Sequence, residues 1–146
     1  MNCREVMTDN PVCCLPTDTV SQAARTMRRE DVGPVPVVSD DQHKLLIGIV
    51  TDRDLALRVV AENRDIISTR IKDVMTTGAV SCQPDDDLQK ALEAMEENQV
   101  RRIPVVDTNQ KIVGIIAQAD VATRLGEPES TAAVVEEISK SQAAGA

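Results

Sequence analysis

Apolar residues recur at helical spacing in two stretches of the chain. They fall at Val20, Ala23, Ala24 and Met27 in the first stretch, and at Leu88, Ala91, Leu92 and Met95 in the second. Both stretches follow the i, i+3, i+4, i+7 pattern of an amphipathic helix, so each is predicted to be one. Asp18 or Thr19 can cap the first helix, with Gln22 three residues beyond Thr19, and Asp86 or Asp87 can cap the second.

Other apolar runs are short, continuous and rich in β-branched residues, which favours strands. Residues 35–38 and 45–50 form two such runs around a polar stretch at 39–44, and this arrangement predicts a β-hairpin. A short segment at 12–14, and its counterpart at 80–82, precedes each amphipathic helix. A further helix is predicted from about Asp52 to Glu62, and its partner from Asp120 to Leu125 ends at Gly126.

These elements belong to an internal repeat. Val6-Met7-Thr8 recurs as Val74-Met75-Thr76, and Pro36-Val37-Val38 recurs as Pro104-Val105-Val106, both at an offset of 68. After a turn that is two residues shorter in the second copy, Gly48-Ile49 matches Gly114-Ile115 at an offset of 66. Since a fixed period dictates architecture, we expect an α/β (α+β) fold made of two β-α-β-β-α repeats.

The expected boundaries are repeat 1 at residues 1–66, repeat 2 at 67–126, and a C-terminal helix with a frayed tail at 127–146. That last helix is predicted over 131–139. Each repeat needs a cover for the open face of its sheet. Pseudo-twofold packing of sheet against sheet would supply the cover and leave two related clefts at the seam.

Composition excludes several classes of function. Aromatic residues are absent and the net charge is −8, which argues against nucleic-acid platforms and anionic membrane surfaces. Apolar runs fall far below the ~20 residues of a membrane span, and no secretory signal is evident, so a cytoplasmic location is expected. The only histidine, His43, lies in a polar loop, and the four cysteines form no Cys-x-x-Cys pair, so neither a catalytic base nor a metal site is expected.

The candidate binding element is the strand-to-helix segment that contains Thr51, Arg53 and Asp54. One interpretation is a capping box, in which the Thr51 hydroxyl and the Asp54 carboxylate satisfy helix-end amides and no ligand is needed. The other is a nucleotide site. Unpaired amides at a helix N-terminus suit a phosphate, and an acid one turn further on can accept hydrogen bonds from a ribose diol.

A pair of guanidinium groups, Arg101 and Arg102, precedes a predicted strand in the second copy, where the first copy has Gly33-Pro34. The pair could simply be solvated and balance Glu96 and Glu97. It could also recognise phosphate through its planar fork. The second copy keeps an acid at Asp120 but has lost the hydroxyl, so the two clefts are expected to differ in affinity.

These residues resemble a tandem pair of cystathionine β-synthase (CBS) domains, the Bateman module. The resemblance covers about Val6 to Leu125 and rests on the Val-Met-Thr starts, the Pro-Val-Val strands and the Gly-Ile-Val-Thr-x-x-Asp element. It implies a stand-alone, non-catalytic regulatory module that binds an adenosine-containing ligand between the repeats and signals its occupancy to a partner. AMP or ATP is favoured as the ligand, with ADP, NAD and S-adenosylmethionine also represented in the family. It also implies a homodimer, and it implies no resident cofactor.

Carried over residue by residue, the resemblance places ribose on Asp54 and phosphate near Thr51, Arg53 and Arg102. The residues implied to flank adenine are Thr76, Ala79, Val80 and Val100. The second cleft would pair Asp120 with Thr8, Val12 and Val32 and reach Arg101. An alternative remains open: a constitutive interaction or dimerisation module whose clefts are vestigial.

Overall fold

The structure, a computed structural model, describes residues 1–125. In chain order its strands are β1 (Thr8–Asp9), β2 (Pro34–Val38), β3 (Leu46–Thr51), β4 (Arg102–Val106) and β5 (Ile112–Ala117). Its α-helices are α1 (Val20–Glu30), α2 (Asp52–Leu55), α3 (Leu88–Glu97) and α4 (Gln118–Leu125). Helix α2 continues as one π-helical stretch, Ala56–Val60, and short 3-10 helices cover Cys3–Glu5 and Ile71–Asp73. The α/β class predicted from the sequence is confirmed.

The chain folds into two compact units. The central unit is Val12–Ala79, and the terminal unit joins Met1–Pro11 to the chain from Val80 onward. The expected repeat boundaries at residues 66/67 and 126/127 describe sequence repetition. The compact units are divided differently, because the first residues of each repeat, 1–11 and 67–79, fold with the helices and strands of the other repeat. The C-terminal helix predicted at 131–139 lies outside the described residues.

The central unit is built on the β2–β3 hairpin. Val35 pairs with Val50 and Val37 with Gly48 in an antiparallel register. Helix α1 buries Val20, Ala23 and Met27 against this hairpin, as its spacing predicted, whereas Ala24, predicted on the same face, is exposed. Thr19 caps α1 through a complete capping box with Gln22.

The terminal unit repeats this plan around the β4–β5 hairpin. Ile103 pairs with Ile116, and the short strand β1 adds to the free edge of β5, with Thr8 opposite Ile115. Helix α3 is capped by Asp87 and buries four apolar residues in the same core: Leu88, Ala91, Leu92 and Met95. Each unit therefore has its own aliphatic core.

Four sequence-predicted elements differ clearly from their predicted form in the structure. The segments at 12–14 and 80–82 reduce to single parallel bridges, Cys14 to Val37 and Cys82 to Val105. The proline two residues beyond each bridge has no amide to continue the ladder. The helix predicted for 52–62 ends at Val60, and α4 begins at Gln118, two residues before its predicted start. Within residues 1–125, no helix is long and apolar enough to cross a membrane.

Candidate functional site

The junction between β3 and α2 holds a complete capping box. The Thr51 hydroxyl accepts from the Asp54 amide at 3.0 Å, and Oδ2 of Asp54 accepts from the Thr51 amide at 3.0 Å. The Asp54 side chain is only 13% exposed. The capping box that the sequence predicts as one interpretation is therefore present, and Asp54 has a structural role whether or not it also binds a ligand.

The amides at the start of α2 already have acceptors. The Asp52 amide donates to the Gly33 carbonyl at 3.1 Å, and the Arg53 amide donates to Oδ1 of Asp52 at 3.0 Å. Together with the Asp54 amide, these are the first three donors of the helix. The expectation that unpaired amides here would suit a phosphate is wrong, because all three amides already have acceptors. An anion would have to displace these contacts or be held by side chains.

Arg58 extends this junction, and the sequence reasoning missed it. Its Nε lies 3.8 Å from Oδ1 of Asp54, and its Nη1 donates to the Val74 carbonyl at 3.0 Å and to the Met75 carbonyl at 3.5 Å. The spacing of four residues between acid and base on one helix is the signal that could have predicted the pair. Arg58 thereby links Asp54 to the segment that carries Thr76.

Thr76 lies beside the strand that leads into the junction. Its amide and carbonyl exchange 2.9 Å hydrogen bonds with Ile49 of β3. A Cβ on Gly48 would lie 2.8 Å from the Thr76 carbonyl oxygen, so this segment approaches the strand closely because residue 48 is glycine. Thr76 is thus held within the unit that contains Asp54, and Thr76 itself is exposed.

An open depression of about 460 Å³ lies along the exposed face of α2. It is lined by Asp52, Arg53, Ala56 and Leu57. Arg53, which is predicted to contact phosphate, is exposed and lines this depression. The depression therefore offers one cation beside the Asp54 junction, on a largely apolar floor.

The terminal unit holds the second set of predicted residues. Arg102 opens β4 directly opposite Ala117, and the Arg101 carbonyl accepts from the Gln118 amide at 2.9 Å. Asp120 lies in the first turn of α4 and is exposed. As predicted from the sequence, the residue equivalent to Thr51 is Ala117, which has no hydroxyl for a capping box.

Gln118 is a polar residue that the sequence reasoning did not single out. It is 6% exposed, and its Nε2 has no hydrogen-bond partner among the residues that the structure describes. A buried amide without a partner costs free energy. The long polar side chain at the strand-to-helix junction was the available signal.

The predicted site residues divide between the two units. The central unit contains Val12, Val32, Thr51, Arg53, Asp54, Thr76 and Ala79, and the terminal unit contains Thr8, Val80, Val100, Arg101, Arg102 and Asp120. Val32 packs against the central core, and Val80 and Val100 pack against the terminal core. The structure thus brings Thr51, Asp54 and Thr76 together on one unit, and Arg102 and Asp120 onto the Ala117 junction of the other.

The cysteines and acids do not form a metal centre among residues 1–125, where no group of three or more His, Cys, Asp or Glu side chains could hold an ion. Burial raises the pKa of the Cys13 thiol to about 11 and that of Cys14 to about 12. His43 is exposed in its turn and contacts Asp40.

Comparison with known proteins identifies the family. The profile described as the CBS domain matches residues 3–61 and again 71–127. The chain belongs to the CBS domain family. It is 38% identical over 136 residues to the CBS domain-containing protein YhcV of Bacillus subtilis, covering 93% of this chain and 94% of YhcV.

Solved CBS structures share the fold. Hypoxic response protein 1, known from Mycobacterium tuberculosis, was solved with two coordinated zinc ions. It is 31% identical with a TM-score of 0.76, over 85% of this chain and 98% of that one. A structure of CBSX2 in complex with AMP is 24% identical with a TM-score of 0.72, over 88% and 98% of the two chains. CBS pairs of this fold therefore include one that binds an adenosine nucleotide.

Proposed function

We propose that this CBS pair is a non-catalytic regulatory module that binds an adenosine-containing ligand and signals its occupancy to a partner protein. The observation that carries the proposal is the Asp54 junction. A carboxylate only 13% exposed is oriented from both sides, by the Thr51 amide and by Arg58. A carboxylate fixed in this way can accept two hydrogen bonds from a ribose diol without reorganising.

The other contacts are those that the resemblance to CBS domain pairs implies. Arg53 lines the depression beside α2 and would meet the phosphate end of the ligand, as would Arg102. Thr76, Ala79, Val80 and Val100 are the residues implied to flank the adenine. Asp120 with Thr8, Val12, Val32 and Arg101 would form a second, weaker site. We propose AMP or ATP as the favoured ligand, and a cytoplasmic location.

Thermal unfolding followed by circular dichroism tests the proposal, because a chain without aromatic residues has no useful intrinsic fluorescence. The protein is melted with and without AMP, ADP, ATP, NAD and S-adenosylmethionine. At ligand concentrations about 100 times Kd, linkage predicts roughly 2.7 kcal/mol of stabilisation. Asp54→Ala is expected to weaken binding by about 1.5–3 kcal/mol, since it removes a charged acceptor.

Asp54→Asn is the sharper variant, because an amide oxygen can still accept from the Thr51 amide while the charge is lost. Asp120→Asn is the matched control in the other repeat. A nucleotide-specific rise in Tm that Asp54→Asn abolishes and Asp120→Asn largely keeps would support the proposed ligand site. No shift with any of the five ligands would refute an adenosine sensor.

A constitutive dimerisation module is the second candidate, and exposed apolar residues favour it. Leu57 and Val60 on the second helical segment, and Ile66 and Ile67 after it, are all about half exposed or more, with Val60 at 70%. Such a patch is suited to a second copy of the chain. Val60→Glu should then convert a dimer to a monomer in analytical ultracentrifugation, whereas Leu45→Glu on the hairpin should not. A wild-type monomer would exclude this candidate.

A further inference from the structure

Two buried thiols meet in the terminal unit, far from the Asp54 junction in sequence. Cys3 lies on the first 3-10 helix and is completely buried, and Cys82 bridges to β4 and is 5% exposed. Both belong to the same aliphatic core, where the Cys3 thiol donates to the Asp87 carbonyl at 4.0 Å and the Cys82 thiol donates to the Pro104 carbonyl at 3.9 Å. None of the four cysteines, all within residues 1–125, is in a disulfide.

The backbone around Cys3 fixes this contact. The Cys3 amide donates to the Asp86 carbonyl at 2.9 Å, the Arg4 amide donates to the Pro84 carbonyl at 2.9 Å, and the Leu88 amide donates to the Met1 carbonyl at 3.0 Å. These bonds hold the 3-10 helix along the segment that follows Cys82. Because the backbones are held on both sides, the two thiols are preorganised to stay adjacent.

The internal repeat shows that this pairing is specific to one unit. At the offset of 68, Cys82 corresponds to Cys14, and both make the same parallel bridge to a hairpin. Cys3 corresponds to Ile71, which is also fully buried on a 3-10 helix. The fold therefore accepts an aliphatic residue at this position, and the core does not require the second thiol.

The two thiols differ in acidity in a way that suits an exchange reaction. The neighbouring Cys82 thiol lowers the pKa of Cys3, and the same pairing together with burial raises the pKa of Cys82. Asp86, Asp87 and Lys90 are the charged groups that act on the pair. Cys3 is thus the better thiolate and Cys82 the proton-bearing partner.

We propose that Cys3 and Cys82 form a covalent modification site, a reversible intramolecular disulfide made by exchange with a low-molecular-weight disulfide such as oxidised glutathione. The Cys3 thiolate attacks one sulfur of that disulfide, forms a mixed disulfide and expels one thiolate. Cys82 then loses its proton and attacks the Cys3 sulfur, expelling the second thiol. Two protein thiols are oxidised and one small disulfide is reduced to two thiols.

Access to Cys3 requires only local opening. Its helix is a single turn whose Arg4 and Glu5 are exposed, so lifting this turn uncovers the thiol without unfolding the hairpin. Closing the disulfide would then tie residues 1–11, including β1, to the core of the terminal unit. The oxidised form is expected to melt higher than the reduced form by about 5–15 °C, because the cross-link restricts the unfolded chain.

Peptide mapping tests the site directly. The native protein is equilibrated in glutathione buffers of graded ratio, quenched with N-ethylmaleimide under denaturing conditions and digested with trypsin. Cleavage after Arg4 separates Cys3, in peptide 1–4, from Cys13 and Cys14, in peptide 5–25, while Cys82 falls in peptide 73–90. The expected product is a disulfide-linked 1–4/73–90 pair, with peptide 5–25 labelled at both of its cysteines.

Cys14→Ser is the matched control, since it alters the thiol equivalent to Cys82 and should leave the link intact. Cys3→Ser should abolish the disulfide link. Cys3→Val should abolish it too, and its apolar side chain suits the core if serine disturbs the packing. Labelling of Cys3 and Cys82 in fully oxidised glutathione would overturn the proposal. So would preferential linkage within peptide 5–25, or a linked protein that melts no higher than the reduced one.

Discussion

Gly48 sets how closely the segment carrying Thr76 approaches β3, and Gly48→Ala tests that contact. A Cβ at this position would lie 2.8 Å from the Thr76 carbonyl oxygen and 3.0 Å from Sδ of Met75. The nearer atom belongs to the backbone, so the methyl group can be accommodated only if the segment moves away from the strand. We therefore expect both 2.9 Å hydrogen bonds between Ile49 and Thr76 to weaken.

The magnitude follows from these contacts. Two backbone hydrogen bonds contribute about 1–3 kcal/mol net, at 0.5–1.5 kcal/mol each. Replacing glycine by alanine within a strand returns about 0.5–1 kcal/mol of backbone entropy. Taking the middle of each range, the expected result for Gly48→Ala is a net loss of about 1 kcal/mol in the free energy of unfolding.

The internal repeat supplies the control for this prediction. A Cβ on Gly114 would lie 2.6 Å from Sδ of Met7 and 2.9 Å from its Cγ, with the Thr8 carbonyl at 3.0 Å. Two of these three atoms belong to a flexible methionine side chain that can move. Gly114→Ala is therefore expected to cost less than Gly48→Ala.

Urea unfolding followed by far-UV circular dichroism gives the stabilities, and amide hydrogen exchange at Ile49 and Thr76 reports on the contact itself. The expected pattern is faster exchange at both amides in Gly48→Ala. If Gly48→Ala were as stable as wild type, or cost less than Gly114→Ala, the reasoning from close backbone approach would be refuted.

Three further predictions concern single side chains. Arg58→Met should speed amide exchange in the segment around Val74 and weaken AMP binding several-fold, whereas Arg58→Lys should keep part of the binding. Equal AMP affinity in the wild type and both variants would contradict the link from Arg58 to Asp54. Gln118→Leu should stabilise the ligand-free protein by about 1–2 kcal/mol in urea unfolding, because it removes a buried amide that has no partner in the described part of the chain. A loss of stability would contradict this. Burial raises the pKa of Cys14 to about 12, so above pH 9 the folded state keeps the thiol proton that the unfolded chain releases. The free energy of unfolding should therefore fall as the pH rises from 9 to 12, and it should fall less steeply in Cys14→Ala.

The elements that could be predicted from the sequence are those whose side chains carry a period. Helices α1 and α3 follow the i, i+3, i+4, i+7 rule, and Thr19 with Gln22 places the start of α1 correctly. The hairpins follow from continuous β-branched runs. These patterns are local, so one sequence is enough to detect them.

The assignment of the leading segments could not be predicted, because backbone atoms make their contacts. Thr8 pairs with Ile115, and Thr76 pairs with Ile49, through amides and carbonyls that every residue has. No side-chain periodicity marks such a pairing. The one trace in the sequence is a glycine within each apolar strand, Gly48 and Gly114, which permits close approach of another backbone.

The candidate site shows a second limit, since equivalent residues in a repeat need not have equivalent roles. Asp54 closes a capping box and faces Arg58, whereas Asp120 follows Ala117 and lies two residues from Gln118, whose buried amide has no partner within residues 1–125. Asp54→Ala should therefore lower the stability of the ligand-free protein by about 0.5–1.5 kcal/mol, because the Thr51 amide loses its acceptor, and Asp120→Ala should leave it nearly unchanged. A loss of ligand binding in Asp54→Ala can thus be read as a ligand contact only after this difference in stability has been measured in both variants. Equal ligand-free stabilities would refute a stabilising role for the Asp54 side chain in the capping box.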